Sequence, residues 1–252
     1  CSCSNLAYGW FHAYRHMAEA ELDAVLHLGD YIYEYGDGQY GDARPLDPPH
    51  EILTLSDYRR RYAAYRQDPD LAEVHRMHPF IATWDDHESA NNSWMDGAEN
   101  HQDDEGPWAD RLTAAWQAYD EWLPIRPGLE GKLYRKLAFG DLVDVLVLDT
   151  RIVGRDQEDG TPEVIWDPAR QLLGEAQEAW LFDALRTSEA TWKLLAQQVM
   201  MAPLLVSMEE EQPGATNPDQ WDGYPMARQR LLDAIEQGGV DGVVVLTGDI
   251  HS

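Results

Sequence analysis

His27-Leu28-Gly29-Asp30-Tyr31-Ile32-Tyr33-Glu34-Tyr35 is the stretch on which the fold turns. Asp23 to Leu28 leads into it as a short, mostly apolar run with the length of a buried strand, and Gly29 punctuates the run. Asp30 then falls just past the carboxyl end of that strand, where open α/β sheets place their ligands. Gly29 lets the backbone turn there without a Cβ penalty. A carboxylate followed by the phenols of Tyr31, Tyr33 and Tyr35 is a hard, anionic donor set suited to a strongly Lewis-acidic metal. Read alone, the stretch is as well explained by a turn with a solvated aspartate beside core tyrosines. Further strand ends of the same build change that balance.

Upstream, Cys3-Ser4-Asn5 precedes an amphipathic helix pattern from Ala13 to Ala20, which feeds the strand ending at Asp30. This strand-end, helix, strand order is the βαβ unit of a parallel sheet. Downstream, Gly, Pro and Asp make residues 36 to 49 a surface loop. Ser56 is placed to cap a helix running to about Gln67, and a short helix spans Asp70 to Met77. The stripe Tyr58, Tyr62 and Tyr65 on the first of these reads as packing.

Residues 79 to 84 form the next strand, which runs directly into Asp85-Asp86-His87-Glu88, with Asn91 and Asn92 close behind. Pro107 suits the first position of a helix reaching about Trp122. Residues 132 to 139 and 141 to 148 read as two strands joined at Gly140-Asp141, a hairpin signal, and the second ends at Asp149-Thr150-Arg151. A polar loop covers 154 to 170, a helix 175 to 186, a strand 192 to 199, another loop 207 to 224 and a helix 226 to 237. The strongly apolar strand 240 to 246 ends in Thr247-Gly248-Asp249-Ile250-His251. No internal repeat interrupts this order, and a single domain over 1 to 252 is the economical reading.

With 46 acidic against 19 basic residues the formal net charge is -27, which excludes a nucleic-acid surface built from clustered Lys and Arg. An anionic substrate would meet a repulsive field unless bound cations reverse its sign locally. No apolar run approaches the length needed to span a bilayer, and Cys1 opens into polar residues rather than a signal peptide. The two cysteines, Cys1 and Cys3, are too close for an unstrained disulfide, so Cys3 is either a small core thiol or a metal ligand.

Metal-type donors thus recur at strand ends: Cys3; Asp30 with Tyr33; Asp86 with His87; Asp249 with His251. In this order the chain resembles the calcineurin-like metallophosphoesterases, and more closely the PhoD-type alkaline phosphatases. The match rests on Ser2-Cys3-Ser4-Asn5, His27 to Glu34, Thr83 to Glu88, Leu148 to Arg151, Trp192-Lys193 with Gln197-Gln198, Trp221 to Tyr224 and Thr247 to His251. The spacing Gly29-Asp30-x-x-Tyr33 is also similar to that of purple acid phosphatases, in which the tyrosine binds ferric iron.

The resemblance implies a metallophosphatase four-layer α/β/β/α sandwich with mixed sheets, truncated at both ends, and an iron-plus-calcium hydrolase of small-molecule or polymeric phosphate esters. It implies Cys3, Asp30, Tyr33 and His251 on a ferric ion, and Asp30, Asp86, Asn92 (or Asn91) and Asp249 as calcium oxygens. It places His87 at the ester oxygen, Arg151 against phosphate, and the protein outside the cytoplasm, secreted or periplasmic. Compared with the wider superfamily, Cys3 replaces the usual first Asp-x-His. Asp249 stands for the first histidine of the last motif, an oxygen that favours calcium over zinc. Two other readings stand beside this one: an acidic calcium-binding module without turnover, and a related binuclear hydrolase acting on another bond.

Overall fold

The computed structural model describes residues 1–126, 132–203 and 215–250, and the chain forms two compact units. The first comprises residues 1–93 and 98–126, the second 94–97 and 127–252. Two short strands, β3 (Ser93–Trp94) and β4 (Gly97–Ala98), lie where the chain passes from one to the other. Among the described residues no helix is long and apolar enough to cross a membrane.

The first unit is built on β1 (Val25–Leu28) and β2 (Phe80–Thr83), which pair in parallel with Leu28 opposite Thr83. Cys1 to Ser4 run beside β1, exchanging Leu28 N–H to Cys1 O at 2.9 Å and Cys3 N–H to Gly29 O at 3.1 Å. Around these strands lie α1 (His12–Glu19), α2 (Leu55–Arg66), α3 (Pro69–Met77) and α4 (Trp108–Trp122). The cap of α2 is Thr54 rather than Ser56. Its hydroxyl accepts from Asp57 N–H while the Asp57 carboxylate accepts from Thr54 N–H, a reciprocal box that Ser56 has no partner to form. Pro107 is likewise the cap of α4 and not its first turn. Tyr58, Tyr62 and Tyr65 are fully buried, as the packing reading requires. Arg61 on the same helix is buried too and donates to the carbonyls of Tyr33, Tyr35, Pro48 and His50, so it ties down the loop after Tyr33.

The second unit holds a four-stranded sheet in the order β5-β6-β7-β8, formed by Arg135–Phe139, Val143–Val147, Trp192–Ala196 and Val243–Leu246. The hairpin β5–β6 is antiparallel and turns at Gly140 (φ 62°); β6, β7 and β8 are parallel. Against this sheet pack α6 (Gly174–Thr187) and α7 (Pro225–Gln237), and Leu146, Leu195, Leu181, Leu185 and Leu231 share one apolar core. The loop 154 to 170 contains one helical turn, α5 (Pro162–Ile165), started by Pro162. The beginning of the loop expected at 207 to 224 lies outside the described residues.

Candidate metal and catalytic site

In the first unit the ends of β1 and β2 are forced together by a missing side chain. A Cβ on Gly29 would sit 2.4 Å from Asp85 Cβ and 2.6 Å from Asp85 N. Glu88 closes the same junction: its carboxylate accepts from Asp30 N–H (3.0 Å), Tyr31 N–H (2.5 Å) and Asp85 N–H (2.7 Å). One buried carboxyl group therefore bridges both strand ends through three backbone hydrogen bonds. Ser4 N–H reaches Asp30 O at 2.7 Å, which brings Cys3 alongside the same turn.

The outcome is a buried group of Asp30, Asp86 and His87 whose ligand atoms lie within 4.8 Å of one another. Tyr33 O–H donates to Asp30 Oδ2 at 3.2 Å, and its ring centroid is 4.2 Å from that of His87. Asn92 N–H donates to Asp86 Oδ2 at 2.7 Å, and the Asn92 amide nitrogen is engaged by Glu99 at 2.7 Å. Asn91, the alternative ligand, donates its backbone N–H to Glu34 (2.7 Å) and its amide to Glu99 (3.1 Å). Cys3 is in no disulfide, and its Sγ lies 3.3 Å from Ser2 Oγ.

His87 is held by a residue that sequence reasoning passed over. Its Nδ1 is 2.7 Å from Glu34 Oε2, while Glu34 Oε1 accepts from Asn91 N–H and from the Asn100 amide at 2.9 Å. Burial opposes a charge on His87, but the carboxylates of Asp86, Glu34 and Asp30 outweigh it and keep the imidazole well above its ordinary value. Glu34 is likewise opposed by burial, yet the His87 charge and its hydrogen bonds hold it below the usual carboxylate range. Burial and the Asp30 charge push Glu88 up to about 8, and burial and the same charge push the Tyr33 phenol far up. Such an accumulation of buried negative charge is what a hard cation relieves. Carboxylate, amide, phenol and thiol donors fit calcium and iron by type.

The second unit assembles its own polar cluster at the carboxyl edge of β6, β7 and β8. Arg151 is fully buried, with one nitrogen 2.6 Å from Asp219 and the other 2.8 Å from Asp249. Arg155 reaches Asp219 at 2.5 Å, and the Gln220 amide donates to the second Asp249 oxygen. Asp149 caps its own turn by accepting from the N–H groups of Arg151 and Ile152 at 2.9 Å each. Gln198 accepts from Thr150 Oγ1 (2.6 Å) and donates to Leu148 O (2.9 Å), so at this edge a glutamine stitches two strand ends together. His251 lies outside the described residues.

Four non-glycine residues among those described have left-handed backbone: Cys3 (φ 59°), Asp30 (55°), Asn92 (51°) and Asp249 (62°). All four are ligands expected from the sequence. Glu34, Glu88, Asp219 and Gln220 were not expected. Most of their partners are remote in the chain, and the one available signal was an acid directly beside a metal-type motif, as in Tyr33-Glu34 and His87-Glu88.

Known proteins are similar to this chain along its whole length. The family described as PhoD-like phosphatase matches residues 1–252. Alkaline phosphatase D of Bacillus subtilis (strain 168) is 42% identical over 265 residues, an alignment covering 100% of this chain and 45% of that protein. A solved structure of PhoD superposes with a TM-score of 0.90 and 40% identity, covering 100% of this chain and 50% of that one. The chain spans about half the length of the relatives it matches. A likeness of this degree establishes the α/β fold class that the motifs implied.

Proposed function

The chain belongs to the PhoD-like phosphatase family, and on that premise we propose that it hydrolyses phosphate mono- and diesters at a site holding iron and calcium. The observation that carries the reading is the left-handed backbone of Cys3, Asp30, Asn92 and Asp249. Each such residue costs about 1–3 kcal/mol and persists where ligand geometry demands it. A fold that merely packed tyrosines and solvated aspartates has no use for four of them at these positions.

Cys3, Asp30 and Tyr33 would hold the ferric ion; Asp86 and Asn92 would give calcium hard oxygens. Asp249 is proposed as a further oxygen ligand and His251 as a nitrogen ligand. When bound, the ions supply Lewis acidity and offset the charge of the ester. His87 is the general acid: Glu34 fixes Nδ1, and Nε2 is left to give its proton to the departing oxygen. Glu88 keeps the two strand ends in register so that His87 and Asp30 stay fixed relative to each other. Arg151, with its two terminal nitrogens on the Asp219 and Asp249 carboxylates, orients Asp249 and is proposed to contact phosphate.

The test is elemental analysis of the purified chain together with turnover of 4-nitrophenyl phosphate and its bis ester. Iron and calcium in active protein are expected. A ferric ion on thiolate and phenolate also absorbs visible light, so spectra of wild type, Cys3→Ser and Tyr33→Phe should differ. Iron present with three coincident spectra would remove these two ligands. Active protein without iron would remove iron from the mechanism, and metal-loaded protein without turnover would remove the phosphatase reading.

A further inference from the structure

Tyrosines surround the acid end of the site in a way the proposed chemistry does not require. Tyr40, in the loop after Tyr35, has its ring centroid 6.0 Å from His87 with the planes only 27° apart. It also contacts Tyr33 (5.6 Å), Tyr35 (5.2 Å) and Tyr8 (5.4 Å, near perpendicular). Tyr35 is itself 5.7 Å from His87. Exposure rises along this series, from His87 at 5% through a half-buried Tyr40 to Tyr8 at 64%.

The loop is fixed in place. Gly41 (φ 97°) packs so closely on Ala7 that a Cβ would meet its carbonyl carbon at 2.8 Å, and Ala43 N–H reaches Ala7 O at 2.7 Å. Asn5 donates to Tyr40 O at 3.4 Å, and Gln39 Oε1 accepts from Gly36 N–H at 2.7 Å. Arg61 secures the carbonyls of Tyr33 and Tyr35 at the loop's start. A ring platform held this firmly loses little entropy on binding a ligand.

We propose that Tyr40, with Tyr8 and Tyr35, forms a binding subsite for the alcohol half of the substrate, selecting phosphate esters whose leaving group carries a planar aromatic ring. This rests on His87 acting at the ester oxygen, because the rings then line the side on which the leaving group departs. Aromatic faces bind flat rings by stacking with little regard to their polar edges. Small alkyl alcohols gain nothing from the same surface.

The experiment measures Kd of phenylphosphonate and methylphosphonate, neither of which is hydrolysed, by calorimetry on the metal-loaded chain, with inorganic phosphate as the ring-free reference. Wild type should prefer the phenyl compound about tenfold, equivalent to about 1.4 kcal/mol. Tyr40→Ala should bring that preference within twofold, and Tyr40→Phe should restore it. Equal affinities in wild type, binding of neither phosphonate, or a preference that survives Tyr40→Ala would each overturn the subsite. Turnover of 4-nitrophenyl phosphate is followed in parallel. Turnover without a phenyl preference removes the subsite and keeps the phosphatase; a Tyr40-dependent preference without turnover does the reverse.

Discussion

Glu34 and His87 stand 53 positions apart and meet at 2.7 Å in a fully buried pair. The carboxylate has two tasks, accepting from His87 on one oxygen and from Asn91 N–H and Asn100 on the other. A glutamine offers one acceptor and one donor, so Glu34→Gln has to turn a donor toward one of these partners. We expect kcat to fall about 10- to 100-fold, the usual cost of losing a partner that orients a functional group, with iron and calcium content retained. His87→Ala should cost more, about 100- to 10,000-fold, as removal of a general acid does. Metal loss in His87→Ala equal to that in Asp30→Ala would make His87 a ligand instead. That Asp30 and His87 stood out in the sequence and Glu34 did not has a physical cause. Ligands advertise themselves by type and by a strand-end glycine, whereas Glu34 acquires its role only through a contact that folding creates.

At the scale of elements, the strand ends were legible because an apolar run of strand length that breaks at Gly-Asp reads most simply as a buried strand entering a turn, and every observed strand except the two-residue β3 and β4 falls within an expected one. Caps were less legible: Thr54 and Ser56 are alike in type, and only the position of Asp57 separates them. Gly29 tests the junction of β1 and β2 directly. Gly29→Ala puts a methyl 2.4 Å from Asp85 Cβ at a φ of 100°, where both the neighbour and the backbone resist. Overpacking of this kind costs about 1–3 kcal/mol. Urea midpoints should report it, and bound metal should drop with it because Asp30 and Asp86 are driven apart; unchanged metal content would show that the junction does not position the ligands. His27 on β1 provides the pH test. It is fully buried beside Ser4 and Tyr14, and burial, reinforced by the N-terminal charge and His75, lowers its pKa to about 3. Folding therefore holds the ring neutral, while the unfolded chain takes up a proton near pH 6.5. Stability is complete above that pH and declines as pH falls toward 3, by up to about 1.4 kcal/mol per unit from this group. His27→Asn, which cannot protonate, should flatten the dependence between pH 6.5 and 4 by that slope. Parallel profiles for the two proteins would mean that other groups dominate acid unfolding.

For the whole molecule, the charge balance of 46 acidic against 19 basic residues was legible from composition and argued against a nucleic-acid surface. Composition did not show that part of this acidity is interior. Asp30, Glu34, Asp85, Asp86 and Glu88 are all at most 2% exposed. Two effects of added cations therefore need to be separated. Screening of surface repulsion is general: it depends on ionic strength, and sodium chloride supplies it as well as any salt. Specific binding by Asp86 and its neighbours follows mass action instead, contributing about 2.7 kcal/mol when calcium is a hundredfold above its Kd. At about 2–4 °C per kcal/mol for a chain of this size, that corresponds to a rise in Tm of about 5–10 °C. Calcium added to chelator-treated protein should produce this rise, and sodium chloride of equal ionic strength should give only a fraction of it. Asp86→Asn should retain the sodium chloride response and lose most of the calcium response, since a neutral amide at that position is a poorer ligand without altering the surface. Should calcium and matched sodium chloride shift Tm equally in wild type, or should Asp86→Asn respond to calcium as wild type does, the buried carboxylates are not a calcium site and added cations act on this chain only by screening.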